Sequence, residues 1–396
     1  MCASAQRGFT LLLMLVVIVT ALGAVLFGLL KPSTAATYAV DKTSITALAQ
    51  ARDALVGRAA TDNNLPGSLP CPDLVTNIAG INVPNDGIAD LLVGNDCPSY
   101  IGRLPWRTLG LPDLRDGSGE RLWYALSTNF RDDSSASPLN SDTAGQLTIT
   151  GINPAGNVVA IVFAPGTALA GQLRDTIANQ NNFANYLEGE NANGDTVYST
   201  GAVTTSFNDT LLAITNDVLF PTVEYRVARE IRTSLATYYT ANSYYPYASN
   251  YGDATFSCVS GLTRGRLPKP GMGGDYSISG GCTAPPVADW GAAQPPTWFT
   301  TNNWHLLTYY TVAPACTVNN PNCGGAGYLT VNNVALPNNN KRALVIVAGR
   351  ALTGQSRPCA SVSDCLDSAE NTNGDDVYVI NPVSSTFNDK ITVVAP

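Results

Sequence analysis

The longest apolar segment of the chain runs from Phe9 to Leu30, 22 residues without a charged side chain. A helix rises about 1.5 Å per residue, so this segment is long enough to cross a hydrocarbon core of about 30 Å. Arg7 precedes it and Lys31 follows it. The pattern predicts a transmembrane helix over residues 9–30, with the short segment before it in the cytoplasm and everything after Lys31 outside the cytoplasm.

Two later segments have apolar residues at helical spacing, and each stripe is expected to pack against a sheet. The first, before the expected break at Pro66-Gly67, consists of Ile45, Leu48, Ala51, Leu55 and Ala59. The second stripe consists of Val223, Val227, Ile231, Leu235 and Tyr238. Charged residues such as Glu224 surround it, and no apolar segment extends it.

An internal repeat relates the two halves of the chain at a nearly constant offset (Glu190 to Glu370 is 180, Ala160 to Ala343 is 183). The matching segments keep their order: 145–149 with 327–331, 160–166 with 343–349, 190–198 with 370–378, and 206–209 with 386–389. At a smaller offset, 102–105 also matches 265–268. Such self-similarity indicates a duplicated structural unit.

Each copy reads as four strands, the last introduced by an Asn-Gly hairpin. The predicted fold is therefore α+β: a long N-terminal transmembrane helix and two tandem heads, each a helix on a four-stranded antiparallel sheet. The predicted divisions are 1–8 (leader), 9–30 (transmembrane helix), 31–220 (helix continuation and first head) and 221–396 (second head). The second head, 221–396, is expected to fold without the membrane helix.

Composition and charge exclude some functions. Charged residues make up 13% of the chain, its net charge is −8 and it has one histidine, so no basic surface for nucleic acid is expected. No phosphate-binding loop or Ser/His/Asp arrangement is visible, and the chain is not expected to be an enzyme. His305, Asp116 and Glu120 are weak catalytic candidates. Burial on a strand explains His305 equally well, a turn explains Asp116, and a position at the start of a helix explains Glu120.

Eight cysteines follow Cys2, and none forms a C-x-x-C motif. Disulfides in an oxidising compartment fit this spacing better than a metal site does. Because short loops are the easiest to close, the expected pairs are Cys71–Cys97, Cys258–Cys282, Cys316–Cys323 and Cys359–Cys365.

Two acidic turns are candidates for calcium. The oxygen-bearing side chains are those of Glu190, Asn193 and Asp195 in the first copy and of Glu370, Asn373 and Asp375 in the second. Their order does not fit an EF-hand loop. An ordinary Asn-Gly turn explains the same residues, so both interpretations stay open and no other cofactor is expected.

Residues 6–12, Gln-Arg-Gly-Phe-Thr-Leu-Leu, resemble the cleavage junction of the type IV pilin and pseudopilin family. The resemblance implies that a prepilin peptidase cuts between Gly8 and Phe9 and that Phe9 is then N-methylated. It also implies a single-pass protein of the bacterial inner membrane, with the bulk of the chain in the periplasm or in an extracellular filament. A plain signal anchor, and a secretory signal cleaved near Ser33-Thr34-Ala35, are the alternatives.

Most members of that family have Glu at the fifth position of the mature chain, where this sequence has Leu13. A subunit with Leu cannot supply the carboxylate that pairs with the amine of a neighbour, which favours a minor or tip subunit. The resemblance thus implies a minor pilin or pseudopilin of a type IV pilus or type II secretion filament, with other pilin subunits as partners. A membrane-anchored adhesin or ligand-binding module is the alternative.

Overall fold

The computed structural model describes residues 32–74, 83–133, 137–251, 253, 256, 258–259, 261–268 and 290–395. The α-helices are α1 (Pro32–Thr61), α2 (Ile177–Gln180), α3 (Asn216–Asn242), α4 (Thr297–Thr301), α5 (Val362–Cys365) and α6 (Ala369–Thr372). Short 3₁₀ helices span Thr128–Phe130, Phe183–Asn185, Gly189–Ala192, Gly291–Ala293, Trp304–Leu306, Pro314–Cys316 and Pro321–Cys323.

Twelve named strands fall into two sets of six. The first set is β1 (Ile101–Arg103), β2 (Trp123–Leu126), β3 (Leu147–Gly151), β4 (Ala155–Ala164), β5 (Val197–Thr200) and β6 (Thr210–Thr215). The second set is β7 (Arg264–Arg266), β8 (Thr308–Val312), β9 (Thr330–Asn332), β10 (Ala343–Val347), β11 (Val377–Val379) and β12 (Lys390–Ala395). We call α1 to β6 the first unit and α3 to β12 the second unit.

The two units have the same strand pairing, as expected for a duplication. Strands β1, β2, β4 and β6 are hydrogen-bonded in that order and antiparallel, and β7, β8, β10 and β12 repeat the arrangement. In both units the remaining two strands pair in parallel, β3 with β5 and β9 with β11. Strand β4 is long enough to pair with β3 as well, whereas the shorter β10 does not pair with β9.

The helices join the two units through a shared hydrophobic cluster, and a second cluster, around Trp123 and Phe163, lies within the first unit. Helix α1 contacts β4, β6 and α3, while α3 contacts β10 and β12 of its own unit and β4 and β6 of the first. Four of the five predicted apolar positions of α1 are buried and Ile45 is 61% exposed, whereas all five of α3 are fully buried. Arg226 of α3 also donates from Nη1 to the carbonyl oxygen of Ala60, 2.9 Å away, at the end of α1.

The predicted architecture of a transmembrane helix with two tandem heads on four-stranded antiparallel sheets is wrong. The structure is a mixed α/β arrangement with a six-stranded, a four-stranded and a two-stranded sheet, and parallel strand pairs in both units. Sequence periodicity does not distinguish parallel from antiparallel partners, and α3 is shared by both units. The predicted division at 220/221 falls inside α3, which begins at Asn216 and continues through Pro221.

The transmembrane helix predicted over residues 9–30 lies outside the described residues. Within the described ranges, no helix has the length and apolar character needed to cross a membrane. The predicted localisation is therefore corrected. The described structure does not support a single-pass protein of the bacterial inner membrane with the bulk of its chain in the periplasm or in a filament.

Candidate functional site

The repeated Asn-Gly-Asp segment is a turn that leads into β5 and β11. The backbone N–H of Asp195 donates to Asn193 Oδ1 over 3.0 Å, and that of Val197 donates to Asp195 Oδ1 over 2.7 Å. Asn373 and Asp375 accept the corresponding bonds, at 3.0 and 2.8 Å. Because the strand that follows pairs in parallel, the turn does not form the predicted hairpin.

One buried asparagine in each copy of this segment covers the strand that follows. The side-chain amide of Asn191, which is fully buried, accepts from the backbone N–H of Ser199 (2.7 Å) and donates to its carbonyl oxygen (3.2 Å). Asn371 does the same with Val379, at 2.8 and 3.1 Å. A strand edge exposes unpaired backbone groups, so the amide replaces a neighbouring strand. The repeated sequence thus has a structural explanation.

The calcium candidates make hydrogen bonds within these turns. Asp195 accepts from the side-chain amide of Asn193, and Asp375 from that of Asn373, each at 3.0 Å. In the part of the chain that the structure describes, no group of three or more His, Cys, Asp or Glu side chains is placed to hold a metal ion. Calcium binding by these turns therefore stays a prediction without geometric support.

A pair of carboxyl groups recurs beside each turn. Glu188, Asp209 and Asp389 are buried and Asp367 is half-buried. Glu188 Oε2 accepts from the backbone N–H groups of Asn208 (2.9 Å) and Asp209 (3.1 Å), while Asp209 Oδ2 accepts from that of Glu188 (2.8 Å). Asp367 and Asp389 make corresponding bonds, at 2.6 and 2.8 Å. Burial, together with the charge of Glu188, raises the pKa of Asp209 to about 8. Burial beside Asp367 likewise raises the pKa of Asp389 well above its ordinary value.

The strongest candidate for a binding site is a pair of adjoining cavities at the start of α3, which we call the α3 cleft. The first cavity, about 330 Å³, lies between α3 and the segments around Arg350 and Ser384. The second, about 460 Å³, is lined by residues of both units. Both are lined by Asn216, Asp217 and Arg350. Volumes of this size are typical of small-molecule sites.

Buried polar groups of α3 form part of the wall of this cleft. Glu224, only 3% exposed, accepts from the hydroxyl of Ser141 in the first unit over 2.8 Å. Burial raises the pKa of Glu224 to about 7, although the Ser141 bond and the charge of Lys390 act in the opposite direction. Asn216 donates from Nδ2 to the carbonyl oxygen of Thr143 over 2.5 Å, and its buried Oδ1 has no hydrogen-bond partner among the residues that the structure describes.

Cations flank the cleft on its other side. Arg350 Nε lies 2.6 Å from Asp217 Oδ1, and Arg357 Nε lies 3.1 Å from Asp142 Oδ2 of the first unit. Lys390, on β12, lines the first cavity. The cleft is therefore flanked by two ion pairs, and Lys390 adds a further positive charge to its wall.

The structure contains three of the predicted disulfides, Cys71–Cys97, Cys316–Cys323 and Cys359–Cys365. Cys258 is disulfide-bonded, and its predicted partner Cys282 lies outside the described residues. Gly8 and Phe9 also lie outside them, so the predicted processing site stays a prediction.

The weak catalytic candidates have structural surroundings. His305 is buried in a 3₁₀ helix rather than on a strand, with its ring 5.0 Å from that of Phe256. Asp116 Oδ2 accepts from the backbone N–H of Gly166 over 2.8 Å, and Glu120 lies 3.1 Å from Arg174. The carboxylates of Asp116 and Glu120 are thus used to connect loops.

Sequence reasoning missed the α3 cleft. It placed Glu224 among the charged residues around the apolar stripe, yet Glu224 lies one turn from the buried residues Phe220 and Ala228. Phe220 and Ala228 thus belong to a second apolar row along the helix. Such a row indicates that other parts of the protein pack against α3 on more than one side. Comparisons with protein families, with curated proteins and with solved structures find no match for this chain.

Proposed function

We propose that the protein is a non-catalytic structural subunit of a type IV pilin-like filament, in a pilus or a type II secretion system. The observation that carries the proposal is the Gly8-Phe9 junction followed by a long charge-free segment. Leu13 supports a minor or terminal position, because it cannot provide the carboxylate that a repeated shaft contact needs. Other pilin-like subunits are the proposed partners, and prepilin peptidase is the proposed processing enzyme.

The described residues contribute a second line of support. The acidic side chains nearest to a catalytic arrangement, Asp116 and Glu120, bind a backbone amide and an arginine. The repeated acidic turns are explained by their own hydrogen bonds. Three disulfides brace loops, as in proteins that work in an oxidising environment. These features suit a subunit whose task is to present a stable surface.

The proposal predicts a defined mature N-terminus. In its native host, the purified protein is expected to begin at Phe9 and to carry an N-methyl group, which intact-mass and N-terminal peptide mass spectrometry detect. Gly8→Asp is expected to leave the chain unprocessed, whereas the matched control Ser4→Ala is expected to be processed normally. A parent protein that begins at Met1, or near Thr37, would contradict the proposed membership of the pilin-like class.

The α3 cleft favours a second candidate, a small-molecule-binding module. This function does not require assembly into a filament, and it is tested separately below.

A further inference from the structure

The first cavity of the α3 cleft contains charges that its own residues only partly balance. Arg350 is paired with Asp217 through bonds of 2.6 and 3.3 Å. Lys390 forms no ion pair with any residue that the structure describes, although its charge acts on Glu224, and the Ser141 hydroxyl donates to Glu224. Both side chains line the cavity. One amine and one carboxyl group thus remain for a ligand of complementary charge.

Apolar side chains form part of the cavity wall. Phe220, Pro221, Leu352 and Val383 line it together with the polar residues Ser384, Ser385 and Asn388, and Val383 is 60% exposed. An apolar wall with a few convergent polar groups is typical of a small-molecule site, in which the polar groups fix the orientation of the ligand.

We propose that the α3 cleft binds a free α-amino acid with an apolar side chain. Its ammonium group donates to Glu224, its carboxylate pairs with Lys390, and its side chain packs against Phe220 and Leu352. A purely anionic ligand has no positive charge to complement the Glu224 carboxyl group, and a purely cationic one has no negative charge to complement Lys390. A zwitterion complements both groups at once. This goes beyond the proposed role as a filament subunit, and neither proposal requires the other.

The test is binding of L-leucine to the folded, disulfide-intact protein by calorimetry and thermal unfolding. Leucine is expected to bind and to raise the melting temperature, because a ligand specific for the native state stabilises it. Two analogues of similar shape separate the contributions of the two charged groups to binding. 4-Methylpentanoate lacks the ammonium group, and 3-methylbutylamine lacks the carboxylate. Both are expected to bind at least about tenfold more weakly.

Two substitutions assign the binding to the cleft. Lys390→Gln and Glu224→Gln are each expected to weaken leucine binding about tenfold or more, because each removes one charge partner. Glutamine at 224 can still accept from Ser141, and the melting temperature without ligand checks that each variant is folded. Arg52→Gln, on the exposed side of α1, is the matched control and is expected to bind like the parent.

Three results would overturn the proposal. They are no binding of leucine or of any other apolar amino acid, binding of 4-methylpentanoate as tight as that of leucine, and unchanged leucine binding by the folded Lys390→Gln variant. None of them would affect the predicted processing at Gly8.

Discussion

Val227→Asp is expected to unfold both units together. Val227 lies on α3, is fully buried, and belongs to a core cluster that includes Leu55 of the first unit and Tyr310 of the second. A carboxylate at this position would be buried without a partner, so we expect the free energy of unfolding to fall by more than about 4 kcal/mol. Denaturant unfolding followed by circular dichroism measures the loss.

The matched control is Tyr225→Asp, on the same helix at a position that is 58% exposed. It introduces the same charge and is expected to change the free energy of unfolding by less than about 0.5 kcal/mol. If Val227→Asp disrupts the second unit while the amides of β2 and β4, in the first unit, keep their native protection from hydrogen exchange, the two units do not share a core.

Asp209→Asn is expected to make the protein more stable at alkaline pH. The folded-state pKa of Asp209 is raised from 3.8 to about 8, so its protonated form is favoured in the folded state. That contribution to stability is complete below about pH 4 and is lost as the pH rises towards 8. Asparagine is a neutral mimic of the protonated acid, and its oxygen can still accept from the backbone of Glu188.

The measurement is the free energy of unfolding of parent and variant from pH 4 to pH 8. The parent is expected to lose stability across this window through Asp209, and the variant to lose less, with a difference on the order of 2 kcal/mol at pH 8. Asp389→Asn, in the second unit, is expected to act in the same direction. Asp53→Asn, at an exposed site, is the control. Equal pH dependence of the parent and Asp209→Asn would show that the buried pair holds no proton.

The sequence predicted the repeat and the apolar stripes of α1 and α3, because both leave a long periodic signal. The α3 stripe from Val223 to Tyr238 is buried as expected, and the six strands of one unit correspond in order to the six of the other. The strand count per copy was wrong. β1 and β7 have three residues each, too few for a period of two to be recognised.

The arrangement of the units could not be predicted in the same way. The Asn-Gly-Asp segment was interpreted as a hairpin, since this pair of residues favours tight turns, but its Asx-type bonds also suit the entry to a parallel strand. Helix α3 was assigned to one head because an apolar stripe does not reveal how many sheets cover it. The α3 cleft likewise forms only when segments far apart in the sequence pack together. The local sequence around Ser141 and Glu224 does not indicate that the two side chains are in contact.

The central claim is that the duplicated units form one cooperative structure around α1 and α3. Native-state hydrogen exchange, followed by mass spectrometry with the disulfides intact, tests it most directly. The slowest amides of β2 and β4 and those of β8 and β10 are expected to exchange with the same opening free energy, equal to that of global unfolding. Two distinct plateaus, one for each set of strands, would contradict the shared core and show two independently stable heads.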